Sequence, residues 1–179
     1  MIRQILLALA ILVAILAVVI AIQPDDMTVT RSATMAAPPT AAFDQVNDFH
    51  KWDSWSPWAK LDPNSKITFE GPPSGTGSIF KWSGNSEVGE GQQTIVESRP
   101  GELVRIKLEF IKPFPGTSEV LFTFKPEGSG TLVTWTMNGK KNFIMKGMGL
   151  VMDCDKMMGG YFEKGLSSMK AQVEGAPRA

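Results

Sequence analysis

Between Ile5 and Ile22 the chain reads ILLALAILVAILAVVIAI, eighteen residues in a row without a polar side chain. As a helix this run is about 27 Å long, close to the hydrocarbon thickness of a bilayer. It predicts one transmembrane helix and leaves the rest of the chain to build any globular unit. A cleaved signal peptide is the competing reading, but the run exceeds a usual signal core, and Ile20 to Pro24 offer no small-x-small pair for cleavage. Arg3 and the terminal amine precede the run, while Asp25 and Asp26 follow it. The positive-inside rule then leans toward a cytoplasmic N-terminus with the remainder on the outer, periplasmic or extracellular side. The organisation expected is an anchor over 1–23, a linker over 24–26, a single domain over 27–174 and a short tail over 175–179.

Composition limits what that domain does. Hydrophobic residues make up 43% of the 179, but with the apolar run set aside the share falls to about 36%, low for a globular domain. The charges balance at 18 basic and 18 acidic residues, so there is no field to hold a phosphate backbone, and nucleic acid is excluded as a partner. One Cys and one His supply neither an internal disulfide nor a structural zinc site. No metal and no cofactor is expected.

The pattern then changes period twice. Residues 27–35, MTVTRSATM, alternate Met27, Val29, Ala33 and Met35 with hydroxyl side chains, which predicts a strand with one covered face. Pro38 and Pro39 stop it, and Thr40 is placed to cap a helix carrying Ala42, Phe43, Val46 and Phe49. Trp52, Trp55 and Trp58 recur every third residue, consistent with a second short helix or a 3₁₀ turn. From about residue 66 to 138 the period is two, clearest at Val104, Ile106, Leu108 and Phe110 against Arg105, Lys107 and Glu109. Short Gly- and Pro-rich turns separate the runs and predict a meander of about six antiparallel strands. Beyond it, Val151, Cys154, Met158, Phe162, Leu166 and Met169 step by three or four, which predicts one long helix from Phe143 to about Val173. The fold class is α+β, with that helix laid across the sheet.

This order, with WSPW at 55–58 running into KLDP at 60–63 and DCDKMMGGYFEKGL at 153–166, resembles the polyketide cyclase/dehydrase branch of the START-like (SRPBCC, Bet v 1-like) superfamily. The resemblance covers most of residues 27–173. It implies a helix-grip fold, an antiparallel sheet of about seven strands wrapped on the C-terminal helix around a cavity for a lipid- or polyketide-like molecule. The chain departs from the usual segment at Gly160 and Tyr161, so no role is carried over for that turn.

Catalytic groups are scarce. His50 reads as a surface residue at the end of the first helix. Asp153 and Asp155 diverge by about 200° around a helix and do not form a carboxylate pair. Cys154, on the apolar stripe, reads as a small buried hydrophobe. The glycine-rich stretch 71–78 lacks the Lys-Ser/Thr ending of a phosphate loop and reads as a connection between strands. Arg31 falls on the apolar face of its strand, to emerge at the sheet edge or to offer a cavity one cation. His50, Asp153 and Tyr161 remain as weak catalytic candidates.

Adaptable apolar surface is plentiful. The closing segment concentrates methionines and five glycines, each of which weakens a helix by about 1 kcal/mol relative to alanine. Either the helix must approach the sheet closely, or room is left above it. The expected activity is binding of a hydrophobic small molecule between sheet and helix by a membrane-anchored protein. The expected wall is Phe80, Trp82, Phe110, Phe122, Trp135, Met152, Met158 and Tyr161, with Trp55 and Trp58 near an entrance. An enzyme of the cyclase/dehydrase type is the first alternative. A tethered interaction module with a filled core, meeting an unknown protein partner through an exposed Trp52 or Trp55, is the second.

Overall fold

The apolar run forms α1, Ile2–Ala21, a 20-residue helix long and apolar enough to cross a membrane, exposed along its length except for the half-buried Val19 and Ile20 in its last turn. A computed structural model describes residues 1–175; most of the expected 175–179 tail lies outside the described residues. Four residues after α1, the chain enters β1, Asp26–Met35. Its apolar positions turn inward, and its hydroxyls form an outward ladder with the neighbouring strand: Thr30 with Thr136 at 3.1 Å and Ser32 with Thr134 at 2.9 Å.

α2 spans Pro39–Asn47. It starts one residue before the expected Thr40 cap, because Pro39 has a φ pre-set for the first helical position and lacks an N–H that would be unpaired there anyway, so Thr40 lies inside the first turn. A 3₁₀ turn, Phe49–Ser54, follows and is opened by the Asp48 side chain, which accepts from His50 N at 2.9 Å.

The six remaining strands are β2 (Lys66–Glu70), β3 (Ile79–Ser83), β4 (Glu90–Arg99), β5 (Leu103–Lys112), β6 (Gly116–Glu127) and β7 (Gly130–Lys140). They form the expected meander. β1 closes on its last strand, so the single antiparallel sheet runs β1-β7-β6-β5-β4-β3-β2. The glycine-rich stretch 71–78 is the β2–β3 connection, as its missing phosphate-loop ending implied.

The long closing helix is two helices, α3 (Phe143–Gly149) and α4 (Cys154–Gly175). The apolar period runs unbroken through 150–153, but caps break the helix. Asn142 Oδ1 accepts from Met145 N at 2.9 Å to open α3, and Asp153 Oδ1 accepts from Lys156 N at 2.9 Å to open α4. A side-chain acceptor at the first orphan amides favours a new start there. The consequence reaches the expected stripe: Phe162, Leu166 and Met169 are buried, Cys154 is only half-buried at the first turn, and Val151 is 85% exposed.

α4 lies across the inner face of the sheet, as the helix-grip expectation required. One end of the space between them is solid. Val29, Met35, Val46, Phe122, Val133, Leu166 and Met169 are fully buried there, each large apolar side chain contributing about 1.5–3 kcal/mol. Trp52 and Trp55 belong to this core rather than to the surface, at 4% and 2% exposure. Their indole N–H groups donate to Val46 O at 3.0 Å and Gln45 O at 3.1 Å, supplying partners to carbonyls that the C-terminal turn of α2 leaves free. Burial with both polar atoms satisfied removes the exposed-tryptophan surface of the interaction-module reading.

Candidate functional site

The other end of the space is hollow. A cavity of about 300 Å³ lies between the β3–β7 face, the 3₁₀ turn with its following loop, and the first turns of α4. Period-two alternation builds most of its wall: Phe80 and Trp82 on β3, Leu108 and Phe110 on β5, Val120 on β6, Trp135 and Met137 on β7. Met158 and Phe162 close it from α4, and Trp58 from the loop.

The wall aromatics hold one another in place. Trp82 stacks beside Phe80 at 5.9 Å between ring centres and meets Phe110 edge-on at 6.1 Å. The Trp82 N–H donates to Val88 O at 2.9 Å, so its polar edge is turned away from the cavity into the β3–β4 loop. A Cβ on Gly91 would sit 2.6 Å from the Trp82 ring; glycine is what lets the indole lie flat on β4. Across the floor, Trp135 and Phe162 stack at 4.1 Å, nearly parallel at 5°.

Of the expected wall, Phe80, Trp82, Phe110, Trp135, Met158 and Trp58 line the cavity, and four residues stand outside it. Phe122, on β6, and Trp55, at the end of the 3₁₀ turn, meet at the solid end, in edge-to-face contact at 6.1 Å. Met152 is in the α3–α4 link, 42% exposed. Tyr161 stacks on the outer side of Trp58 at 5.7 Å between ring centres. Reasoning from the sequence missed Leu108, Val120 and Met137, although they share the inward parity of the aromatics chosen; aromatic content was favoured over parity. Phe49, the last residue of the expected apolar spacing on the first helix, also lines the cavity, because the chain turns into the 3₁₀ segment there.

Polar groups are few: Gln93 lies in the sheet wall, in register between Phe80 and Leu108, and the carboxylates come from the loops and the 3₁₀ turn. Asp62 ties two loops together, accepting from Asn64 N at 3.0 Å through one oxygen and Asn85 N at 2.7 Å through the other. Asp53 and Glu87 are exposed beside it. His50 lines the rim too, stacked on Phe69 at 4.1 Å, its Nδ1 2.8 Å from Asp48 Oδ1. The surface placement expected for His50 therefore holds, with the added fact that its ring edges the cavity. No Lys or Arg is in the wall, and among the described residues no three His, Cys, Asp or Glu side chains converge.

Deep in the wall, one polar atom is unmatched. Among the described residues, Trp135 Nε1 is the buried side-chain nitrogen or oxygen without a hydrogen-bond partner. Trp55 and Trp58 stand nearly perpendicular to its ring at 5.7 Å, and a π face is a much weaker acceptor than an oxygen. The buried donor therefore keeps most of its desolvation cost of about 1–3 kcal/mol.

Arg31 is not in the cavity. It crosses the β1 edge to α4, where Nη2 pairs with Asp155 and Nε with Glu163, each at 2.9 Å. These hydrogen bonds, to Asp155 first and Glu163 second, raise its pKa further above the ordinary arginine value. Gly159 clears the way, since a Cβ there would collide with the guanidinium. Asp155 is thus an ion-pair partner and Asp153 a helix cap; neither faces the cavity.

Comparison with known proteins agrees with this architecture. The family model described as polyketide cyclase / dehydrase and lipid transport matches residues 26–174. No curated protein matches. Among solved structures, a Chromobacterium violaceum protein superposes with a TM-score of 0.60 at 16% identity, over 84% of this chain and 98% of its own. The Aha1 dimer from Colwellia psychrerythraea gives 0.59 at 15% identity, over 83% and 96%. The di-domain ARO/CYC StfQ from the steffimycin biosynthetic pathway gives 0.61 at 12% identity, over 84% of this chain and 51% of that one. At these identities the likeness is one of fold.

Proposed function

The chain belongs to the polyketide cyclase / dehydrase and lipid transport family, and from that premise we propose that it is a membrane-anchored binding protein for a hydrophobic small molecule. The observation that carries this reading is the cavity of about 300 Å³ walled by aromatic and aliphatic side chains between sheet and α4. Pockets of this size and lining suit small apolar ligands, with few polar groups to orient them. Trp135 supplies one such group. A ligand oxygen accepting its N–H would replace an unmatched donor with a bond, so the favoured ligand has an apolar body and at least one buried acceptor. With carboxylates and no cation in the wall, anionic ligands such as fatty acids are disfavoured.

α1 supplies the anchor in this reading, crossing the bilayer from a cytoplasmic N-terminus with the domain on the outer side. The test is native mass spectrometry of the full chain extracted in mild detergent. An oxygen-bearing apolar molecule at near one-to-one occupancy is expected, and its loss is expected in Val120→Phe, which adds a ring to the cavity wall. Repeated absence of any ligand, or unchanged occupancy in the variant, overturns the assignment.

A cyclase- or dehydrase-type reaction is the second reading, favoured by His50, whose Nδ1 is 2.8 Å from Asp48 at the cavity rim. A carboxylate fixing one ring nitrogen leaves the other to act as acid or base. Neither Asp153 nor Tyr161 lines the cavity, and neither has a part in it. Once turnover of the captured molecule is measured, His50→Gln should abolish it without releasing the molecule if the protein is an enzyme.

A further inference from the structure

The segment after the sheet leaves an apolar surface that the domain does not cover. Phe143 and Ile144 on α3 are 54% and 51% exposed, and Met148, Leu150, Val151 and Met152 follow, all at least 41% exposed. Six large apolar side chains exposed within ten residues exceed what a water-facing surface carries without a partner. Their place in the fold names the partner. α3 packs on the last turn of α1: Gly147 lies so near Ile20 that a Cβ there would touch Ile20 Cδ1 at 3.4 Å. Lys146 donates to Ala21 O at 3.2 Å and pairs with Asp25, gripping the point where the apolar run ends. A helix fixed against the last turn of a span lies at the depth of the lipid headgroups.

We propose that α3 and the link after it, residues 143–152, lie in the headgroup layer of the bilayer that α1 crosses and form a second membrane contact. This rests on α1 spanning the membrane, as proposed above. Strand register extends the contact: Phe110 pairs with Gly116 and Asp26 with Lys140, so the β5–β6 hairpin tip shares this end of the sheet, with Ile111 and Phe114 exposed on it. Phe110, Met137 and Met158 put the hollow end of the domain at the same end. A ligand would then pass between lipid and cavity without crossing water.

The full chain, reconstituted into vesicles of phosphatidylcholine and phosphatidylglycerol, carries an environment-sensitive fluorophore at Val151→Cys in a Cys154→Ser background. A control carries it at Ser129→Cys, in the β6–β7 turn at the opposite end of the sheet. Nitroxide-labelled phosphatidylcholine should quench the first position about threefold more than the second, as expected for side chains buried about 5–10 Å into the headgroup boundary. Equal quenching overturns the proposal. So does a blue shift at 151 that is unquenched and grows with protein density, which would show a second copy on this surface. Failure of the chain to float with the vesicles overturns the anchor reading and this inference with it, a result distinct from equal quenching.

Discussion

Gly165 and Gly160 sit five residues apart on α4, and their surroundings set them in opposition. A Cβ on Gly165 would fall 2.8 Å from Trp135 Cζ3 and 3.1 Å from Pro57 Cδ, whereas one on Gly160 would meet nothing within 4 Å. Alanine improves an exposed helix interior by about 1 kcal/mol over glycine; overpacking a filled site costs about 1–3 kcal/mol. Gly165→Ala should therefore lower the Tm, and Gly160→Ala should raise it or leave it unchanged, in thermal unfolding followed by circular dichroism. Close approach, the first reading offered for this glycine-rich segment, describes Gly165, whereas Gly160 faces open space outside the cavity. Sequence shows that glycines cluster; which face each occupies depends on where α4 begins. Arg31 was equally half-legible. Its parity announced a cation on the apolar side of β1, but its destination depended on Asp155 and Glu163, more than 120 residues away.

Elements were legible where alternation and turn residues agreed, as in β2 to β7, and misread where periodicity alone was available. The 3.6-residue period continues across the break because Leu150, Val151 and Met152 are apolar for a surface, not for the core. A helical stripe says that side chains share a face and not what covers that face. What joins α3 to α1 is ionic as well as apolar. The hydrogen bond from Lys146, reinforced by its charge, holds the Asp25 carboxyl below the ordinary carboxylate range. An acid with a depressed folded-state pKa stabilises its contact fully above the ordinary value and loses that contribution as pH falls through the lowered one. Hydrogen exchange over 143–149, corrected for intrinsic rate, should thus be flat through neutral pH and accelerate only under acid conditions. Asp25→Asn should show the loosened state at every pH.

At the scale of the molecule, one end of the interior is packed and the other hollow, and a ligand would complete the core. Binding to the native state alone raises stability by about 2.7 kcal/mol at a hundredfold excess over Kd. The wild-type Tm should climb with added ligand, while Val120→Phe should match or exceed the unliganded wild type and show no climb, measured by scanning calorimetry. A Tm that climbs equally in both would place the ligand elsewhere. Aromatic parity made the sheet face visible in the sequence; the boundary between solid and hollow was not, because Phe122 shares that face with Trp82 and Phe110, and alternation does not say what packs over each position. The strand order carries a consequence in time. β1 emerges from the ribosome directly behind the apolar run, yet the strand that flanks it pairs Lys140 with Asp26, a wait on the order of ten seconds at ordinary synthesis rates. Throughout that interval the first strand hangs beside its tether with both edges open, and the pairing that completes the sheet waits for the last strand the chain makes, with α4 still to follow.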